Sequence, residues 1–184
     1  FTRGGAEILI ENLSKELSQR GCCVDVVSLP FSAEPKTDLL KQLALWRALE
    51  LREFAGRRVD LVIATKFPTY MLEHPAKVTW LIHQHRQLYE LYDSRFGDFG
   101  TGPEDESLRR MVMQADKKAL NECRARYTIS NNVSARLKRY LDLDSTVLMP
   151  PLPLGSAYYS GEVRPYILSV GRLCSIKRVD LLIK

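Results

Sequence analysis

At 184 residues, 45% hydrophobic and 27% charged, the chain has the composition of a globular protein and not of a disordered or fibrous one. No apolar run approaches the roughly 20 residues that span a bilayer, and no signal peptide is legible. The net charge of +5 favours anionic partners, but Lys and Arg are scattered over several elements, which ranks a nucleic-acid-binding domain last among the candidate functions.

Gly4 and Gly5 lead into a predicted helix over 6–20. Its apolar positions Ala6, Leu9, Ile10, Leu13 and Leu17 follow helical spacing, and Gly21 closes it. Residues 22–29 read as a strand ended by Pro30, and 37–54 as a second helix with Leu39, Leu43, Trp46 and Leu49 on one side. Two apolar strands follow, 59–65 and 77–82, with a helical turn over 70–72 between them. The stretch 93–105, with three glycines and a proline, is a loop of the length that often forms lids or binding loops. A helix from 106, a strand over 126–130, a helix from Asn131 or Asn132 to about 141 and a strand over 146–149 complete this part.

Helices alternating with short apolar strands imply an α/β fold, a Rossmann-like doubly wound parallel sheet whose ligands bind beyond the carboxyl ends of the strands. That rule selects Lys66, His83 and Ser130, and Arg172 on the last unit. The proline-rich run from Pro150 reads as a connector. Residues 166–170 then read as a buried strand, Gly171 as a turn, and 179–183 as a helix opening near Ser175. Lys177 and Arg178 fall in that helix's expected first turn, where cations are disfavoured. With Arg172 they suggest a phosphate site, although a solvated Lys-Arg pair on an exposed helix stays open as the alternative. Four cysteines without paired CxxC spacing are read as reduced thiols of a cytosolic protein. The lack of an initiating Met and the abrupt end lead us to expect a piece of a longer protein.

Gly-Gly-Ala-Glu at 4–7, the strand ending in His83 (VTWLIHQH), Tyr-Thr-Ile-Ser-Asn at 127–131 and GRLCSIKR at 171–178 occur in the order found in the family 4 glycosyltransferases. The chain resembles these retaining enzymes of the GT-B fold over most of its length. Each motif alone is weak; their ordered combination carries the resemblance. It implies an N-terminal acceptor-side domain over 1–149 lacking its first strand, a connector over 150–165, and the truncated start of a donor-binding domain over 166–184. It also implies that Arg172 and Lys177 hold the donor diphosphate, that Gly4 and Gly5 let backbone approach the same phosphates, and that His83 stands near the donor sugar and the reacting centre. For His83 the alternative is a ring that simply donates to a nearby backbone carbonyl; a metal site formed with His74 and His85 is disfavoured because no carboxylate or cysteine joins them at ligand spacing.

By the same resemblance the partners are a nucleotide-sugar donor and a saccharide or lipid-linked acceptor, with no nucleic acid, no metal and no other cofactor. The location is cytoplasmic, with peripheral membrane contact left open. The piece by itself is expected not to transfer sugar. A non-catalytic nucleotide- or phosphate-binding module of the same fold is the alternative. In the complete enzyme, Arg172→Ala and Lys177→Ala are each expected to lower kcat/KM by about a hundredfold, the scale for losing one charge-stabilising group. Near-normal steady-state rates in both variants would remove the phosphate assignment.

Overall fold

The computed structural model describes residues 4–152, 157–171, 173 and 177–183. The chain divides into two units, residues 1–153 and 154–184, each described by itself. The first is α/β: a four-stranded parallel sheet, β3 (Val62–Lys66), β4 (Lys77–His83), β5 (Ala125–Thr128) and β6 (Thr146–Val147), paired in chain order and flanked by helices in a Rossmann-like arrangement.

Each helix forms where an apolar stripe has something to bury against. In α2 (Asp38–Ala48), Leu39, Leu43 and Trp46 are buried at i, i+4 and i+7. α3 (Pro103–Asn121) opens on a proline, which needs no N–H partner there, and on three acidic residues that suit the positive end of the helix. α4 (Asn131–Leu141) buries Val133, Leu137 and Leu141 and is capped by Ser130, whose Oγ accepts from the Val133 N–H. The cap is therefore Ser130 and not either asparagine. α1 (Gly5–Gln19) forms as expected, but none of its residues is fully buried.

Three expectations need correction. Residues 22–29 pair with no strand; Val26 is 59% exposed, and alternating apolar residues without a neighbouring ladder do not make a strand. The second helix stops at Ala48 and not near 54. Beyond it a short hairpin forms, β1 (Glu53–Phe54) against β2 (Arg57–Arg58), turning through Ala55 and Gly56 at positive φ. In the second unit residues 166–170 join no ladder and Ile167 is 80% exposed, because a parallel strand needs a partner to satisfy its backbone. Its helix, α5, covers only Asp180–Ile183, so Lys177 and Arg178 precede it instead of lying in its first turn. Arg178 pairs with Asp180 at 3.0 Å.

The loop expected over 93–105 gives up its last three residues to α3 and is closely packed. Phe99 is buried, Lys36 Nζ meets Asp105 at 2.8 Å, and a Cβ on Gly97 would stand 2.1 Å from the Leu91 carbonyl oxygen, so only glycine fits.

The core joins α2, α3, α4 and one face of β4. At its lower edge Lys77, fully buried, donates to the Tyr70 and Leu72 carbonyls at 2.8 Å each and approaches Glu122 at 3.4 Å. Glu122 is gripped by Arg47 through two bonds of 2.6 and 2.8 Å, and Arg47 also reaches the Met71 carbonyl and Glu73. Deeper in, Asp116 occupies a helical core position, accepting from the Tyr89 hydroxyl at 2.6 Å beside Tyr70. Burial pushes its carboxyl up from 3.8 to about 7, against the hydrogen bond from Tyr89 and the nearby Tyr70 hydroxyl.

A carboxyl raised in this way stabilises the fold fully below about pH 3.8, and the contribution is lost as pH rises through about 7. Asp116→Asn removes that titration. The melting temperature of the variant relative to the parent is therefore expected to climb steadily between pH 4 and 7 and to level off above; a constant difference across that range would contradict the buried-carboxyl assignment.

Candidate functional site

The carboxyl ends of β3, β4 and β5 collect the polar groups. The pairing of β3 with β4 is irregular after Ala64, which lies opposite Thr79, and the slip sets Lys66 opposite His83. Thr69 fixes the end of β3, its hydroxyl accepting from the Thr65 N–H at 3.2 Å and donating to the Lys66 carbonyl at 2.7 Å. The Phe67 N–H then donates to the His83 carbonyl at 3.3 Å, completing the join.

His83 Nδ1 lies 2.8 Å from the Gln84 carbonyl oxygen. An acceptor at that distance assigns the proton to Nδ1 and leaves Nε2 with its lone pair. The backbone-carbonyl alternative weighed for this ring is thus realised at one nitrogen, and the other stays available as an acceptor. Burial first, and then the cations Lys66, Arg86 and Arg136, pull the imidazole below its ordinary 6.5, outweighing the Gln84 carbonyl, which raises it. The ring is neutral near pH 7.

Those three cations are themselves ordered. Lys66 Nζ stands 3.4 Å from Glu7 in the first turn of α1, and Glu7 also accepts the Gly4 N–H at 3.0 Å. Its own backbone N–H chiefly, with Gly4 and Lys66, holds the Glu7 carboxyl below the usual carboxylate range. Glu90 bridges Arg86, at 2.6 Å, and Arg136, which extends from the second turn of α4. Arg136 Nε is buried and lacks a hydrogen-bond partner, a donor with unused capacity.

His85, two residues beyond His83, plays a different part. Its ring packs among Phe67, Phe31 and Phe99 at centroid separations of 5.1, 6.2 and 6.3 Å. Burial, with His83 adding to it, pushes its imidazole from 6.5 down to about 4. His74 is also committed: Nδ1 accepts from the Ala76 N–H and Nε2 lies 3.0 Å from the Val59 carbonyl oxygen.

Of the residues named from sequence, the structure links Gly4, through Glu7 and Lys66, to His83. Gly5 begins α1 with open space where a Cβ would stand, so neither crowding nor positive φ requires glycine there. The Gly4 N–H is already taken by Glu7. Lys177 is exposed in the second unit, and Arg172 lies outside the described residues. Arg86, Glu90 and Arg136 were missed. The i, i+4 spacing of Arg86 and Glu90 was readable, but the 46 residues separating Glu90 from Arg136 carry no local signal. Cys22 and Cys23 are exposed free thiols, and Cys123 is a buried one.

No family model, curated protein or solved structure matches this chain. Among the described residues no helix is long and apolar enough to cross a membrane. The class defined by fold and site is an α/β domain with a neutral histidine and three cations at the carboxyl end of a parallel sheet.

A histidine held neutral in the fold stabilises it fully above about pH 6.5, and this contribution is lost as pH falls toward 4. His85→Phe keeps an aromatic ring in the cluster and removes the proton site. Its melting temperature relative to the parent is expected to rise as the solution is acidified from pH 6.5 to 4, with little change above 6.5; circular dichroism melts at half-unit intervals test this.

Proposed function

We propose that this chain forms the acceptor-side part of a retaining glycosyltransferase that moves a hexosyl group from a nucleotide sugar to a saccharide or lipid-linked acceptor. The observation that carries the reading is the neutral His83 with a bare Nε2, set at a strand's carboxyl end among Lys66, Arg86 and Arg136. Rupture of a sugar–phosphate bond leaves negative charge on the departing nucleotide, and fixed cations stabilise it where it develops. A unit-charge pair at 4 Å contributes roughly 4 kcal/mol at an effective dielectric near 20, so side-chain cations can fill the role that a metal fills elsewhere. Nε2 of His83 accepts a proton or hydrogen bond from a sugar or acceptor hydroxyl. The unused Arg136 Nε–H offers a further donor.

In this proposal Gly4 and Gly5 bring the start of α1 toward the donor diphosphate, while Arg172 and Lys177 hold it from the second unit, with no metal or other cofactor. Because Glu7 already occupies the Gly4 N–H, donor binding requires either its displacement or its neutralisation by Lys66. The GT-B and doubly wound assignments, and a cytoplasmic place of action with the membrane surface open as a site of contact, belong to the same reading.

The test is steady-state transfer by the complete polypeptide, assayed with uridine, guanosine and adenosine diphosphate sugars. His83→Ala is expected to lower kcat/KM by on the order of a hundredfold or more while nucleoside diphosphate affinity changes little. Saturable nucleotide binding without turnover would assign the chain to a non-catalytic binding module, and failure of both would defeat the reading.

A further inference from the structure

At the opposite pole of the sheet, where β3, β4 and β5 begin, lies a cavity of about 410 Å³. It is framed by the residues that lead into each strand: Val59 and Asp60 before β3, His74 and Pro75 before β4, and Arg124 before β5. Arg58, on the β1–β2 hairpin, and Arg52 complete the basic side. Three arginines and one aspartate thus line it, and counting the Glu50 carboxylate beside Arg52 the surroundings keep a positive excess.

None of the three is tightly spent. Arg58 approaches Asp60 at 3.7 Å with both side chains more than 80% exposed, and Arg52 approaches Glu50 at 3.5 Å in open solvent. Pairs of that kind contribute little and yield readily to a better partner. Arg124 is anchored differently: its Nε donates to the Pro75 carbonyl at 2.7 Å, which fixes the planar fork and keeps both Nη groups outside that bond. His74, held by its two backbone bonds, serves as a rigid wall.

We infer that this cavity is a binding site for a phosphate monoester, distinct from the site at the carboxyl ends of the strands. A positive excess suits an anionic phosphate, and guanidinium forks bind its oxygens in bidentate fashion. The volume is that of a small-ligand pocket, with room for an organic group beyond the phosphate, and Val59, Pro75 and the Ala76 methyl supply an apolar wall for it. The ester is either a soluble metabolite or the headgroup of an anionic lipid; the recognising chemistry is the same.

The experiment titrates the chain with ribose 5-phosphate, following the arginine Nε–H resonances, and in parallel measures co-sedimentation with phosphatidylcholine vesicles containing phosphatidic acid. Saturable shifts of Arg58 and Arg124, or vesicle binding, are expected. Arg58→Ala with Arg124→Ala should raise the dissociation constant by about tenfold or more. Arg58→Ala alone, on an exposed hairpin, should weaken binding in the same direction without touching the core, and Arg20→Ala, at the residue capping the end of α1, should leave it unaltered. A response to ribose 5-phosphate identifies a soluble ester, and a response to vesicles alone identifies a lipid headgroup. Absence of both, or binding that persists when Arg58 and Arg124 are replaced, overturns the proposal.

Discussion

A lysine with no exposure to water must have its ammonium satisfied by protein, and Lys77 at the start of β4 meets that condition with two carbonyls and Glu122. The carbonyls belong to the turn between β3 and β4, and Glu122 to the end of α3. Arg47, from the end of α2, closes the network by gripping the same carboxylate. Arg47 chiefly, opposed by burial, keeps Glu122 below the usual carboxylate range, and Glu122 in turn raises the Arg47 guanidinium. Three chain segments are thereby tied to one residue of β4. Removing a single member would strand a buried charge or carbonyl, which is why such networks hold elements in a fixed relation even where their net stabilisation is modest.

What that fixation achieves is felt at the other end of β4. At the last of the strand's seven residues, His83 leaves the sheet beside Lys66, and the slip in pairing after Ala64 decides that these two are neighbours. Burial first, and then the cations around the ring, keep it neutral, while their own partners, Glu7 and Glu90, keep the cluster from being an unbalanced block of positive charge. Under the proposed function, an anion would compete for Lys66 with Glu7 and for Arg86 and Arg136 with Glu90.

A buried carboxyl, Asp116, and a partly buried imidazole, His85, titrate in opposite senses. Asp116 favours the folded chain at low pH, and His85 favours it near neutrality. Burial is the first cause of each shift; Asp98 opposes it at His85, and the Tyr89 hydrogen bond opposes it at Asp116. The poles of the sheet differ in character as well. The carboxyl end is partly buried and internally paired, whereas the amino end presents exposed arginines around an open cavity.

The sequence by itself determined the parts that follow from short-range periodicity. The apolar stripe of α4, the proline and acidic start of α3, and the runs that became β3, β4 and β5 were legible because the residues that make each element are neighbours in the chain. His83 and Lys66 were legible too, since both close a predicted strand. Residues 22–29 and 166–170 carried the same local signal and form no ladder, because a strand exists only where another strand meets its backbone. Only the tertiary structure decided that Arg136 meets Glu90, that Asp116 and Lys77 lie in the interior, and that Arg58 and Arg124 frame one cavity. Each of those facts joins residues far apart in the chain, and charge pairing and burial depend on distance in space, which a local pattern does not encode.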